Sequence, residues 1–155
     1  MKLFPCVMAC LFLGLVLLRA DDLPGLHEPL KTVTQNYLFI QQKLAADSVD
    51  GVPAAVAAMK KAVAEDKGKT FDADFAKEVD QLAAATDLHT TRISFQTLSG
   101  GLIAVLAKNH VQTGVLHAAF CPMVKASWLQ TDGTTIHNPY MGSVMPDCGS
   151  FKEQY

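Results

Sequence analysis

Cys121 and Met123 stand two residues apart, and Met145 and Cys148 stand three apart. In an extended segment a spacing of two points both side chains to one side. In a turn, or in one turn of helix, a spacing of three does the same. Thiolate and thioether sulfurs are soft donors that select Cu(I) over the ions that prefer carboxylate and carbonyl oxygen. Brought together by the chain between them, the two pairs would surround one ion with four sulfurs, or with three if one methionine stays outside. His117, four residues before Cys121, and His137, just before Asn138-Pro139-Tyr140, are the candidate imidazole donors. Zn(II) is the lesser variant, since two thiolates with His117 and His137 would suit it but would leave the methionines without a role.

Each feature also has a plainer reading. In an exported chain two cysteines pair as a disulfide by default, and a permanent Cys121–Cys148 bond would exclude thiolate ligation. Met123, Met141 and Met145 can serve as gap-fillers on a core, and Trp128 as a packing anchor. His27, His89 and His110 read as ordinary solvated or half-buried histidines. The chain has no Cys-x-x-Cys pair, HExxH, phosphate loop or GxSxG. A thiol or metal-dependent enzyme at the same loop is a third alternative, although no triad or oxyanion hole assembles around a nucleophilic cysteine.

The compartment is read from the first residues. MKLFPCVMACLFLGLVLLRA carries Lys2 and then a nearly unbroken apolar run to Leu18, followed by the acidic DDLPG. This reads as a secretory leader, residues 1–20, with cleavage after Ala20. Its removal takes away Cys6 and Cys10 and leaves Cys121 and Cys148. Of 13 basic and 15 acidic residues it removes Lys2 and Arg19, so the remaining chain carries a formal charge near −4. That balance, without clustered Lys or Arg, disfavours a nucleic-acid partner, and none is expected. Once the leader is gone no membrane association is expected.

The elements that must position the sulfurs are mostly helical. Leu30, Val33, Tyr37, Ile40 and Leu44 recur at alternating steps of three and four after Pro29, a first-turn proline. A second helix starts near Asp50-Gly51-Val52-Pro53, buries Val56, Met59 and Val63, and ends at Lys67-Gly68. A third runs from the N-cap Asp72 through Phe75, Val79 and Leu82 to Ala85. Asp87 caps a fourth, with a stripe of Ile93, Leu98, Leu102 and Val105 and with Phe95 and Leu106 beside it. Gly100 and Gly101 would each cost that helix about 1 kcal/mol unless a neighbour packs closely there. After Gly114 the periodicity stops and turn residues take over; VLHAAF and SWLQT are possible short strands beside the Asp132-Gly133 turn signal. This segment needs a staple, a ligand, or pinning by Phe120, Trp128 and Tyr140. The expected fold is therefore all-α, an up-and-down four-helix bundle over about residues 29–112 with an irregular cap over about 113–150, together one domain, 21–155.

Cys121-Pro122-Met123, Trp128-Leu129-Gln130, Asn138-Pro139-Tyr140 with Gly142, then Met145 and Cys148-Gly149 resemble, in that order, the signature of a bacterial periplasmic domain of unknown function. That domain occurs alone in small exported proteins and fused to the periplasmic adaptor subunits of RND-type copper and silver efflux pumps. Arg92, Phe95, Leu98-Ser99 and Leu102 are similar to the helix pattern that precedes its cysteine motif. The resemblance is strong from Arg92 to Gly149 and weaker before. It implies a helical bundle with an irregular cap, and a periplasmic protein that stores, buffers or transfers Cu(I) or Ag(I) through Cys121, Met123, Met145 and Cys148. Its partner would be another periplasmic copper protein or an efflux component. Relatives place histidines where this chain has Ser94 and Phe120, so His117 or His137 would supply any nitrogen ligand. The adaptor's long coiled coil and β-rich parts are missing, which implies a stand-alone binder.

Overall fold

The computed structural model describes residues 23–155, so the expected leader with Cys6 and Cys10 lies outside the described residues. Four helices come first: α1 (Leu30–Ala45), α2 (Val52–Ala64), α3 (Ala73–Ala83) and α4 (Leu88–Lys108). A β-hairpin follows, β1 (His117–Cys121) and β2 (Ala126–Gln130), then a 3-10 turn at Gly142–Val144 and a last strand, β3 (Ser150–Gln154).

The expectation of an all-α fold is overturned. The chain is a mixed fold of four helices and a three-stranded antiparallel sheet in the order β2-β1-β3. The hairpin reverses at Pro122–Lys125, with Cys121 paired to Ala126, and not at Asp132-Gly133. Pro122 presets the first turn position, and Lys125 takes the left-handed conformation, φ 54°, that closes the reversal. β3 carried no apolar signal, because Ser150, Lys152, Glu153 and Gln154 are exposed. Its backbone pairing with β1 is what makes it a strand, with a bulge between Ala118 and Ala119.

Within the helices the local chemistry is as the periodicity predicts. The five expected positions of α1 are all buried. The Asp72 carboxylate accepts from the Asp74 and Phe75 amides. Asp87 and Thr90 form a reciprocal capping box at the start of α4. α2 ends at Ala64, before Lys67-Gly68, and Asp66 instead accepts the Phe71 amide at 2.9 Å in the connection to α3. Ile93 is the misassigned position of α4: it is 52% exposed, while Phe95, Leu98, Leu102 and Leu106 are fully buried. Gly101 has the close neighbour its cost calls for, since a Cβ there would run into Glu78 and Phe75 of α3, whereas Gly100 faces open space.

The helices pack in chain order, but α1 and α4 touch each other only sparsely and β2 lies across both. Tyr37 makes that join. Its hydroxyl pairs with Ser99 Oγ of α4 at 2.8 Å and accepts the Leu129 amide on the outer edge of β2 at 3.0 Å, while its ring stacks on Phe95. An edge N–H that would otherwise invite another strand is thereby occupied. Trp128 and Tyr140 do pin the C-terminal segment, with rings edge to face at 5.8 Å. Phe120 does not; its ring is half-buried and sits under Lys152.

A second join is ionic. Arg92 donates to the carbonyls of Leu44 and Pro139 and to Asp47 Oδ1, and Asp47 Oδ2 accepts the Ser143 amide. The Ser143 and Arg92 bonds hold the Asp47 carboxyl down from 3.8 to about 2. A carboxyl with a depressed folded-state pKa stabilises the fold above its unfolded value and loses that contribution as pH falls through the folded one. Asp47→Asn is therefore expected to lower the melting temperature at pH 7, with the difference from wild type fading between pH 4 and pH 2; an equal difference at pH 2 would contradict this. Tyr37→Phe leaves the Leu129 amide and Ser99 without their partner in a dry interior, and is expected to cost about 1–3 kcal/mol in urea unfolding.

Candidate metal centre

Cys121 ends β1 and is fully buried. The chain then turns through Pro122, and the backbone amides of Met123 and Val124 point back at the Cys121 sulfur. A side-chain acceptor that binds N–H groups two and three residues onward is the usual device of Asx and Ser/Thr turns, here used by sulfur. Cys148 arrives from the other direction. It sits in a turn closed by its own amide on the Met145 carbonyl at 3.2 Å, just before β3. No disulfide joins them, and the sulfurs lie 2.9 Å apart, closer than two sulfurs in ordinary non-bonded contact and longer than an S–S bond. Gly149 follows because a Cβ there would meet the Trp128 ring at 2.7 Å and the Phe120 carbonyl at 3.1 Å.

The two thiols are electrostatically unequal. Burial pushes the Cys121 thiol up, but hydrogen bonds from Cys148, the Val124 and Met123 amides and Asn138 outweigh it and hold Cys121 below its ordinary value. Cys148 is raised, first because its proton is the one shared with Cys121, then by burial and by the charge on Cys121. The two shifts run in opposite directions because the sulfurs share one hydrogen bond, so the pair titrates as a unit.

Around this pair the methionines are exposed. Met123, in the hairpin turn, is 64% exposed and Met145 is 38% exposed, so neither fills a gap in the core. Met141 does pack against the core. Beside Met145, Val144 is also exposed.

The structure does not bring His117 or His137 to the sulfurs. His117 begins β1, about 13 Å of extended strand from Cys121. Its ring lies edge-on to Phe151 and over Gly133. His137 faces the cleft between the end of α1 and β2, where its Nε2 is 3.1 Å from Asp132 Oδ2. Among the described residues no group of three or more His, Cys, Asp and Glu side chains is placed to hold a metal. Any further donor to the two cysteines has to be a thioether, a backbone group or an incoming ligand.

Asn138 is the site residue that sequence reasoning passed over, because Asn-Pro reads as turn chemistry. It is fully buried, and its side-chain amide donates to the Cys148 carbonyl at 2.6 Å. Trp128-Leu129-Gln130 is structural throughout. Gln130 Oε1 accepts from the Trp128 ring and from the His137 amide, while its Nε2 donates to the Asp132 and Thr135 carbonyls, which folds the 131–137 loop over the sheet.

No protein-family model, curated protein or solved structure matches the chain. The exposure difference between the thiols is directly checkable. On the reduced protein, substoichiometric iodoacetamide is expected to mark Cys148 before Cys121 by peptide mass mapping, and the reverse order would contradict the placement of the two sulfurs.

Proposed function

We propose that the protein is an exported soft-metal binder that holds Cu(I), or Ag(I), between Cys121 and Cys148 and stores, buffers or hands on the ion. The observation that carries this reading is the convergence of two free thiols, 27 residues apart in the chain, to sulfurs 2.9 Å apart. Two exposed thioethers stand in the adjoining turns. A donor set of two cysteines with methionine is the soft combination that favours Cu(I). Zinc is less well served, since its sites draw on four ligands from cysteine, histidine and carboxylate, and no third such group approaches among the described residues.

The same geometry suits exchange of the ion between proteins. Cys121 is buried, so it anchors the ion; Cys148, Met123 and Met145 are partly or largely exposed, so an incoming donor meets them first. Transfer then proceeds by displacement of one soft ligand at a time, the outer sulfurs leaving before Cys121. A periplasmic copper protein or an efflux component is the expected recipient. A disulfide is the second reading, favoured by the same proximity of the sulfurs. It would close a loop of 26 intervening residues and stabilise the fold by about 3 kcal/mol in the chain-entropy account.

Anaerobic native mass spectrometry of the unreduced protein, with and without one equivalent of Cu(I), separates the two when read with a thiol count. One bound copper and two titratable thiols are expected. A chain two hydrogens lighter that takes up no copper would make the pair a staple and sink the metal reading. In chelator competition Cys121→Ser or Cys148→Ser is expected to abolish tight Cu(I) binding, and Met123→Leu or Met145→Leu to weaken it; unaltered affinity in Cys148→Ser would count against the assignment.

A further inference from the structure

Every polar atom of Asn138 is used. Its backbone N–H donates to the Pro146 carbonyl at 2.9 Å, and its carbonyl accepts the Gly142 amide at 3.1 Å. Oδ1 accepts the Tyr140 and Met141 amides at 2.8 and 3.0 Å, and Nδ2 donates to the Cys148 carbonyl at 2.6 Å. Two amide donors on Oδ1 leave only one orientation for the carboxamide, with its NH2 facing the cysteines. One fully buried side chain thus grips the 138–142 turn with its oxygen and the Cys148 backbone with its nitrogen.

On its C-terminal side Cys148 is held by the pairing of Ser150 with Phe120, and on its N-terminal side its amide is used locally on Met145, so the bond to its carbonyl is the one side-chain hydrogen bond to its backbone among the described residues. We propose that Asn138 is the positioning residue of the sulfur pair, its side-chain amide setting Cys148 against Cys121 so that two sulfurs from distant parts of the chain meet a soft thiophilic atom together. The inference rests on reading Cys121 and Cys148 as a two-sulfur site. It goes beyond that reading by assigning the preorganisation of the site to a residue that donates nothing to the ion. Outer-shell partners of this kind are worth roughly 10- to 100-fold in metal affinity.

Asn138→Asp, assayed at pH 8 where the carboxyl is ionised, keeps the acceptor for Tyr140 and Met141 and sets an oxygen that repels the Cys148 carbonyl where the donor stood. Phenylarsine oxide reads the pairing of the sulfurs without copper: two arsenic–sulfur bonds replace the arsenic–oxygen bond, and the two thiol protons leave with the oxygen as water. On the reduced protein, Asn138→Asp is expected to keep the wild-type circular dichroism spectrum while binding the arsenical and Cu(I) each about 10- to 100-fold more weakly. Arg92→Lys, which loosens the same loop from outside, is expected to lower the melting temperature and leave arsenical affinity near wild type. Unchanged arsenical affinity in folded Asn138→Asp would overturn the proposal, as would an equal loss in Arg92→Lys or a wild-type chain that does not bind the arsenical. A wild-type chain that binds the arsenical but not Cu(I) would sink the copper reading, and the Asn138→Asp comparison would still decide the positioning role. Should Asn138→Asp not fold, the wild-type Asn138 side-chain amide signals in 15N NMR are expected to shift when the arsenical bridges the sulfurs, and unmoved signals would overturn the proposal.

Discussion

The Arg92 guanidinium gathers the carbonyls of Leu44 and Pro139 and the Asp47 carboxylate, and so ties the end of α1, the body of α4 and the loop after the hairpin into one unit. The loop needs this tie because it contributes little apolar surface of its own. A planar fork of donors suits such a junction, since acceptors from three segments have to be met at once. The loop is docked by it: Pro139 is held against the helices and Asn138 beside it is buried. Within the docked loop it is Asn138, and not the ion pair, that takes hold of the Cys148 carbonyl where Cys148 lies on Cys121.

The pair so formed is built with an inside and an outside. Cys121 belongs to a strand, faces the Met123 and Val124 amides and is closed to solvent. Cys148 belongs to a turn, and the bond it shares with Cys121 pushes its thiol up. For an ion that has to be both held and released, this division is useful. In the proposed metal site, burial of one sulfur would supply retention, and the partly open sulfur with the exposed thioethers would supply a route for exchange away from the helical core.

The helices were legible because their signals are local. A 3.6-residue apolar stripe, an Asp at the N-cap and a proline in the first turn are each read within a few residues. Ile93 shows the limit: it has the residue type of a core position but faces outward, because which part of a long helix is covered depends on where α3 and β2 lie. Gly101 marks a close helix approach and Gly100 beside it does not, and nothing local distinguishes them. The sheet was half legible. HAAFC and ASWLQ carry strand composition, but SFKEQ is a strand only through its pairing with β1.

By itself the sequence determined the number and order of the four helices, the capping residues Asp72 and Asp87, and the concentration of soft donors after residue 120, since each depends on residue type and short-range spacing. Only the tertiary structure decided that Cys121 and Cys148 meet, that His117 and His137 do not join them, and that Asn138 stands between the turn and the sulfurs. The physical reason is that these are long-range pairings. They are set by the hairpin register, the return of β3 onto β1, and the Arg92 and Asn138 hydrogen bonds. None of these leaves a periodic trace in the chain.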